Sequence, residues 1–397
     1  MNLILFDDPA IRPNLLPLTF TRPVADLRVG ILTIAEKWQR RLLPGDAEMP
    51  VSFLTESYLQ TTFPARLSSD NLFINGAICP TDALIEAVRK LAIGESLWAD
   101  TVPVAYRITE EMDIVVEDLT SYTFAEPITV IRHLWDIFAE NSAQIRADFD
   151  LLTAGRTSAP ITDPYTRCYA PDQIFLEPGA TTRAAILNAE AGPIYLGKNA
   201  KVSEGAIIVG PFALGDGAEI AFGGKIRGGS TIGPGSKVGG EVNNAVIWGN
   251  SNKGHDGYLG NAVIGEWCNL GANVNNSNLK NDYSTVKLHS YATNQLEDTG
   301  RQFCGLVTGD YTKVGISTMF NTGTVVGVSC NVFGGGFQPK YIPSFSWGGG
   351  AEGFAPYRFE KAVQVIRETM ARRGRVFDGE EMLEWIMDNG VVSGPQS

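Results

Sequence analysis

"LGKNAKVSEGAIIVGPFALGDGAEIAFGGKIRGGSTIGPGSKV", residues 196–238, decides the fold. Leu196, Val202, Ile208, Leu214, Ile220, Ile226, Ile232 and Val238 recur every six residues without a miss. Small and turn-compatible residues fill the intervals. One inward aliphatic per six residues, with small residues at the corners, builds the flat face of a triangular coil. Three faces make a turn, and stacked turns bury a ladder of aliphatic side chains. No turn buries its own face alone, so the stretch predicts a solenoid of many turns.

Moving toward the C-terminus, the phase slips after Val238. It resumes at Tyr258, Ile264 and Leu270, displaced by two residues, and breaks again over 280–305. It returns at Thr308, Val314, Phe320, Val326 and Val332. The long break predicts a loop ejected from the coil. A Pro/Gly/aromatic linker follows from about 337, and then an amphipathic helix with Phe359, Ala362, Val363, Ile366 and Met370 inward. "GEEMLEWIMDNG" (379–390) predicts a last short helix ended by glycine.

Toward the N-terminus, the polar, proline-bearing stretch 151–172 marks a boundary. Before it the pattern is α/β. "NLILF" predicts a buried strand, and strands or strand ends are expected in "DIVVEDL" and "PITVI". Helical spacing appears in 30–42, in 81–94 with Thr81 as N-cap, and in 133–149 with Leu134, Ile137, Phe138 and Ile145 on one face. The expected division is an α/β domain over 1–155, the coil over 156–340, and a linker with helical tail over 341–397.

The totals narrow the function. The 397 residues, 44% hydrophobic and 19% charged, describe a globular chain able to bury a core. A net charge of −12 argues against nucleic-acid binding, which needs a basic face. Phosphate-bearing small molecules remain possible partners, since a few arginines suffice for them. The five cysteines form no CxxC pair and have no histidine at metal-ligand spacing, as expected of reduced, mostly buried thiols in the cytoplasm. No signal peptide or membrane-length apolar run is read.

The first slip of register holds "KGHDGYLG" (253–260), with one of only three histidines in the chain. Asparagines crowd the turn that follows. They could form stacked internal ladders, and His255 could be a loop histidine bonded to a carbonyl. The alternative is chemistry. Acyl transfer to an amine needs a base for the ammonium proton, and histidine titrates in the right range. The intermediate needs amide donors at its oxyanion. No Ser/His/Asp elbow or nucleophilic cysteine signature accompanies it, so direct transfer is expected.

"GHDGYLGNAVIGEWCNLGA" (254–272) resembles the pattern GH-x-x-YLG-x-x-x-IG-x-x-x-N-x-G-A. That pattern marks the acetyltransferase half of the bacterial bifunctional N-acetylglucosamine-1-phosphate uridylyltransferase/glucosamine-1-phosphate acetyltransferase family. The resemblance implies a single-stranded left-handed β-helix of hexapeptide repeats, acetyl-CoA as acyl donor, and a homotrimer. It places His255 as general base, and Tyr258, Asn269 and Asn278 at sugar-phosphate and acetyl-positioning places. Arg227 matches the arginine that binds the sugar phosphate. Arg301, Lys313 and Lys340 are candidate contacts for the CoA phosphates. A family lysine pair is missing, because this chain has "NNAVIWG" at 243–249. That departure puts the sugar in question more than the acyl chemistry.

The first 155 residues resemble sugar-nucleotide pyrophosphorylases in outline, through "NLILF", Arg12, "PLT" (17–19), "RPVA" (22–25) and "LRVG" (27–30). The glycine-rich loop is replaced by "DDPAIRPN", in which Pro9 and Pro13 have no N–H to offer a triphosphate. Arg12, Arg22 and Arg28 are the candidate phosphate ligands. Asp7, Asp8 or Asp26 would hold Mg2+ if this domain is active. Three functions follow: an amino-sugar-phosphate acetyltransferase, a sugar-1-phosphate nucleotidyltransferase with a non-catalytic coil for oligomerisation, and a non-catalytic sugar-nucleotide-binding assembly protein.

Overall fold

A computed structural model describes residues 2–42, 51–110 and 116–390. The chain packs as two compact units. The first holds Met1–Leu15, Thr21–Leu27 and Leu32–His133, and the second holds Leu16–Phe20, Arg28–Ile31 and Leu134–Ser397.

The first unit is a six-stranded sheet in the order Val51–Leu54, Asn2–Phe6, Asn71–Asn75, Val102–Ile108, Glu95–Ala99, Thr120–Thr123. Its first three strands run parallel, with Ile4 and Leu5 paired to neighbours on both sides and buried. Helix α1 (Ile34–Leu42) starts at a reciprocal cap, in which Thr33 Oγ1 accepts from Glu36 N and Glu36 Oε2 accepts from Thr33 N. Helix α2 (Asp82–Arg89) is capped by Thr81, whose hydroxyl accepts from Leu84 N at 3.2 Å. "PITVI" supplies the short strand Thr129–Val130. Of "DIVVEDL", residues 113–115 lie outside the described residues, and Val116–Asp118 forms a 3-10 turn instead of a strand.

The second unit is a parallel β-helix of about ten turns with helices packed around it. All eight residues of the six-residue register are buried in one continuous core. Each turn repeats at eighteen residues where the register is regular, as in Ile220 opposite Val238. The turn then shortens: Val238 faces Lys253, fifteen residues on, and Val242 faces Leu259, seventeen on. Leu259, not Tyr258, therefore points inward after the slip; Tyr258 is only half-buried. The shortening fuses two faces, because strand Glu241–Ile247 pairs with both Lys225–Arg227 and Ser230–Ile232.

Leu270 pairs directly with Val314, so the intervening loop leaves the coil as expected. It folds as an antiparallel hairpin, Lys287–Ser290 against Gln295–Asp298. The residues read as a linker instead continue the coil: Tyr341–Ile342 pairs with Thr324–Val326, and Ser346–Gly349 with Asn331–Val332. Helix α3 (Leu134–Thr153) lies in this unit and buries Leu134, Ile137, Phe138 and Ile145. Helices α4 (Phe359–Ala371) and α5 (Glu380–Asn389) follow the coil; α4 buries Ala362, Val363 and Ile366, while Phe359 and Met370 are half-exposed.

Candidate active site

The shortened turn presents a polar corner, Lys253 to Tyr258. Its backbone is held from the neighbouring turns. Asn273 N donates to Asp256 O at 2.8 Å, and Glu241 N donates to Gly257 O at 3.1 Å. Gly257 has φ +125°, and a Cβ there would lie 2.2 Å from Val274 O, so the corner admits only glycine. Asn275 Oδ1 accepts from Tyr258 N at 2.8 Å. Asn276 clamps Gly260 twice, accepting from its N–H and donating to its carbonyl, both at 2.9 Å. The His255 side chain is exposed at the head of this corner.

The Tyr258 ring folds back over Gly260, where an added Cβ would meet the phenol oxygen at 2.4 Å. Its hydroxyl accepts from Asn278 Nδ2 at 3.0 Å, and the same amide donates to Asn261 Oδ1 at 2.7 Å. Glu241 lies in register below Tyr258, and Arg227 pairs with Glu241 at 3.5 Å. Arg227, Glu241 and Tyr258 thus climb three successive turns. Arg227 is 61% exposed, so a phosphate could compete for its guanidinium.

The structure separates the other predicted residues. Asn269 stands on the ten-stranded face, in register between Asn252 and Lys313. Lys313 donates to Trp267 O at 2.5 Å, and burial pulls its pKa down to about 8, with Arg373 adding to the effect. Arg373 lies over the Trp267 ring and donates to Asn252 Oδ1 at 3.0 Å. Lys340 is elsewhere, donating to Lys287 O at the base of the hairpin at 3.1 Å. Burial, and then the nearby ammonium groups of Lys280 and Lys287, lower its pKa. Lys340 and Arg301 both lie within electrostatic reach of the buried Cys304. A basic cluster therefore forms at the hairpin, with Lys280 and Lys287 as members the repeat pattern does not mark.

In the first unit, polar groups gather where the parallel strands end. Asp7 Oδ2 meets Arg12 Nε at 3.1 Å and accepts from Thr55 Oγ1 at 2.5 Å, while Asp7 Oδ1 accepts from Val24 N at 2.7 Å. Burial raises the Asp7 pKa against the pull of Arg12. Arg12 also donates to the Tyr58 hydroxyl at 3.1 Å, and burial pushes that phenol up to about 12. Asp8 accepts from Asn75 Nδ2 at 3.2 Å and from Ala10 N at 2.9 Å. Arg22 pairs with Asp26 at 3.2 Å. Arg28, which belongs to the second unit, donates to Trp248 O and Ile31 O and lies over the Trp248 ring. All three arginines are buried.

Residues 3–157 match the family described as sugar nucleotidyl transferase. Two curated relatives are the "Bifunctional protein GlmU" of Methanocaldococcus jannaschii, 34% identical over 90 residues, and that of Methanococcus aeolicus, 32% identical over 87. The chain is thus similar to sugar nucleotidyl transferases over residues 3–157 and to GlmU over a partial stretch. The first match covers 23% of this chain and 21% of the relative, and the second 22% and 20%. The chain thus spans about a fifth of the length of the curated relatives it matches. A solved Arabidopsis UDP-N-acetylglucosamine acyltransferase aligns over 60% of this chain and 92% of its own, at 13% identity and a TM-score of 0.26, too weak to bear on function.

In the first unit the acidic residues do not fit a magnesium site as they stand. The oxygens of Asp7 and Asp8 are engaged by Arg12, Thr55, Val24, Asn75 and Ala10. Among the described residues no group of three or more His, Cys, Asp or Glu side chains is gathered for a metal. None of the five cysteines is in a disulfide, and four are buried. No described helix is long and apolar enough to cross a membrane. Sequence reasoning missed Lys253, Asn261, Asn275 and Asn276 in the coil, and Thr55, Tyr58 and Asn75 in the first unit. A run of asparagines was the one visible sign of the coil residues.

Proposed function

We propose that the coil is an acyl-CoA-dependent N-acetyltransferase acting on an amino-sugar phosphate. The observation that carries this reading is the corner itself. An exposed histidine heads the corner that also carries Tyr258, whose hydroxyl is tied to Asn278, and an exposed arginine, Arg227, stands two turns below, bridged by Glu241. His255 takes the proton from the substrate ammonium as the amine attacks the thioester carbonyl. Arg227 exchanges Glu241 for the sugar phosphate. Tyr258 and Asn278 offer a hydroxyl and an amide to the sugar or acetyl oxygens. Lys340 and Arg301, with Lys280 and Lys287, supply positive charge for the CoA phosphates in a chain that is otherwise acidic. Exposed Phe222 and Ile316 stand in the same corner column as His255, and their apolar surface favours association of copies, read as a cytoplasmic homotrimer.

The decisive experiment follows thiol release from acetyl-CoA with glucosamine-1-phosphate, for the unmodified protein and for His255→Ala. A fall of about two or more orders of magnitude in the variant matches loss of a general base. No release with any amino-sugar phosphate refutes the reading.

The family match over residues 3–157 favours a second activity in the first unit, sugar-1-phosphate nucleotidyl transfer. Its test is pyrophosphate release from UTP or dTTP with sugar-1-phosphates and Mg2+. If neither transfer occurs, a sugar-nucleotide-binding assembly role is what remains.

A further inference from the structure

Lys253 occupies an aliphatic position of the coil. Ile220, Val238, Lys253, Leu270 and Val314 stack in register on the ten-stranded face, and Lys253 is 1% exposed. Any aliphatic side chain would satisfy this ladder. A lysine brings a group whose charged form burial disfavours, and burial lowers its pKa to about 8, with Asp256 opposing. The fold tolerates that cost two residues before His255, on the shortest of these turns.

The lysine head does not stay in the ladder. Its Nζ donates to Gly239 O at 3.1 Å, on the turn below, and to His255 O at 3.0 Å, on its own turn. Gly239 N in turn donates to Lys253 O at 2.7 Å, so the two corners are laced together. Three successive carbonyls of the corner are thereby held: His255 by Lys253, Asp256 by Asn273 N, and Gly257 by Glu241 N. Two of these holds are backbone bonds. The hold on His255 is a side chain.

We propose that Lys253 is a positioning residue, whose head group clamps the corners of two successive turns and fixes the backbone that presents the His255 imidazole. The inference rests on the acetyltransferase reading for its kinetic consequence, though not for its structural one. A shortened turn can expose a side chain, but it also loosens the corner that carries it. Catalysis needs that side chain in one orientation, because small misplacements of a base are expensive in rate. A buried polar group in an otherwise aliphatic ladder is the kind of local rule-breaking expected where function is served.

The test is Lys253→Met, which keeps the stem and loses the head, beside Lys253→Gln, which keeps an N–H donor. The expected result is a melting temperature equal to or above that of the unmodified protein in Lys253→Met. kcat should fall about tenfold or more, with the KM for the amino-sugar phosphate little changed. Lys253→Gln should lie between the two. Independently of activity, the chain's three histidines give three imidazole Hε1 signals in NMR, and His255→Ala assigns the one in question. That signal should shift or broaden in Lys253→Met. A folded Lys253→Met with unaltered kcat and an unmoved His255 signal overturns the proposal. So does a steep loss of melting temperature in both variants, since Lys253 would then be a staple of the coil as a whole. If the unmodified protein transfers no acetyl group, the acetyltransferase reading fails while the NMR signal still decides the role of Lys253.

Discussion

Asn278 Nδ2 donates to the Tyr258 hydroxyl at 3.0 Å, across a turn of the coil. The same amide reaches Asn261 Oδ1 at 2.7 Å, so one side chain fixes both the tyrosine and a corner asparagine. Tyr258→Phe removes the hydroxyl but leaves Asn278 bonded to Asn261. The expected stability loss is therefore small, about 1 kcal/mol. If the hydroxyl also meets the sugar phosphate, KM for the acceptor rises severalfold while the melting temperature barely moves. Asn278→Ala strands two partners and should cost more stability than Tyr258→Phe. Thermal melts and acceptor titrations on both variants check the ordering.

Gly257 is the hinge of the same corner. Its φ of +125° and the 2.2 Å that would separate an added Cβ from Val274 O leave no room for a side chain. Gly257→Ala must push the neighbouring turn or bend the corner, at a cost of about 2 kcal/mol. Because the corner carries His255, acetyl transfer should fall further than the melting temperature alone explains. Gly217, also at positive φ (+63°) but with open space around it, is the control. Gly217→Ala should cost about 1 kcal/mol and leave activity unchanged. Equal effects at the two sites would remove any special role for the corner at 257.

The ladder was legible because eight residues hold one register and their burial depends on nothing outside the coil. The corner was legible only in part. An eighteen-residue count from Val238 lands on Asp256, not on Lys253, because the turn there takes fifteen residues. The count after the slip named Tyr258, while the inward residue is its neighbour Leu259. The asparagines were visible as a run, but not their two jobs. Asn244, Asn261 and Asn273 sit at left-handed corners, with φ of 49°, 47° and 58°, which asparagine tolerates better than most residues. Asn275, Asn276 and Asn278 are clamps. In the first unit the sequence marks Asp7 and Arg12 but not their partners, since Thr55 reaches Asp7 and Tyr58 reaches Arg12 only through the fold.

His289, in the ejected hairpin, is 1% exposed and stacks on Tyr341 with ring centroids 3.7 Å apart. Neither ring nitrogen has a hydrogen-bond partner among the described residues, and burial lowers the pKa to about 4. The folded state thus prefers the neutral ring. Between pH 6.5 and 4 the unfolded chain binds the extra proton and the folded chain does not, so stability falls as pH falls through that window. The full effect is on the order of 3 kcal/mol at about pH 4. His289→Phe keeps the stack on Tyr341 and has no proton to take up. Its melting temperature should fall less steeply from pH 6.5 to 4 than that of the unmodified protein. Parallel acid dependences would show that His289 does not control this window.

Arg12 and Asp7 form a buried ion pair, in which Thr55 and Val24 N also donate to the carboxylate and the guanidinium also donates to Tyr58. Breaking such a pair from one side leaves the other charge buried and alone, at about 3–5 kcal/mol. Arg12→Ala and Asp7→Ala should each destabilise the first unit by that order, in urea melts followed through that unit. The double variant should recover part of the loss, since the stranded charge is then gone. A phosphate ligand role for Arg12 predicts something different. The arginine would have to leave Asp7, and added UTP would raise the melting temperature of the unmodified protein but not of Arg12→Lys. Lysine keeps the charge and loses the two-pronged geometry that guanidinium offers to phosphate and carboxylate alike. Strong destabilisation by Arg12→Ala with no UTP-dependent difference in Arg12→Lys assigns Arg12 to the fold. A UTP-dependent shift that Arg12→Lys abolishes assigns it to the nucleotide.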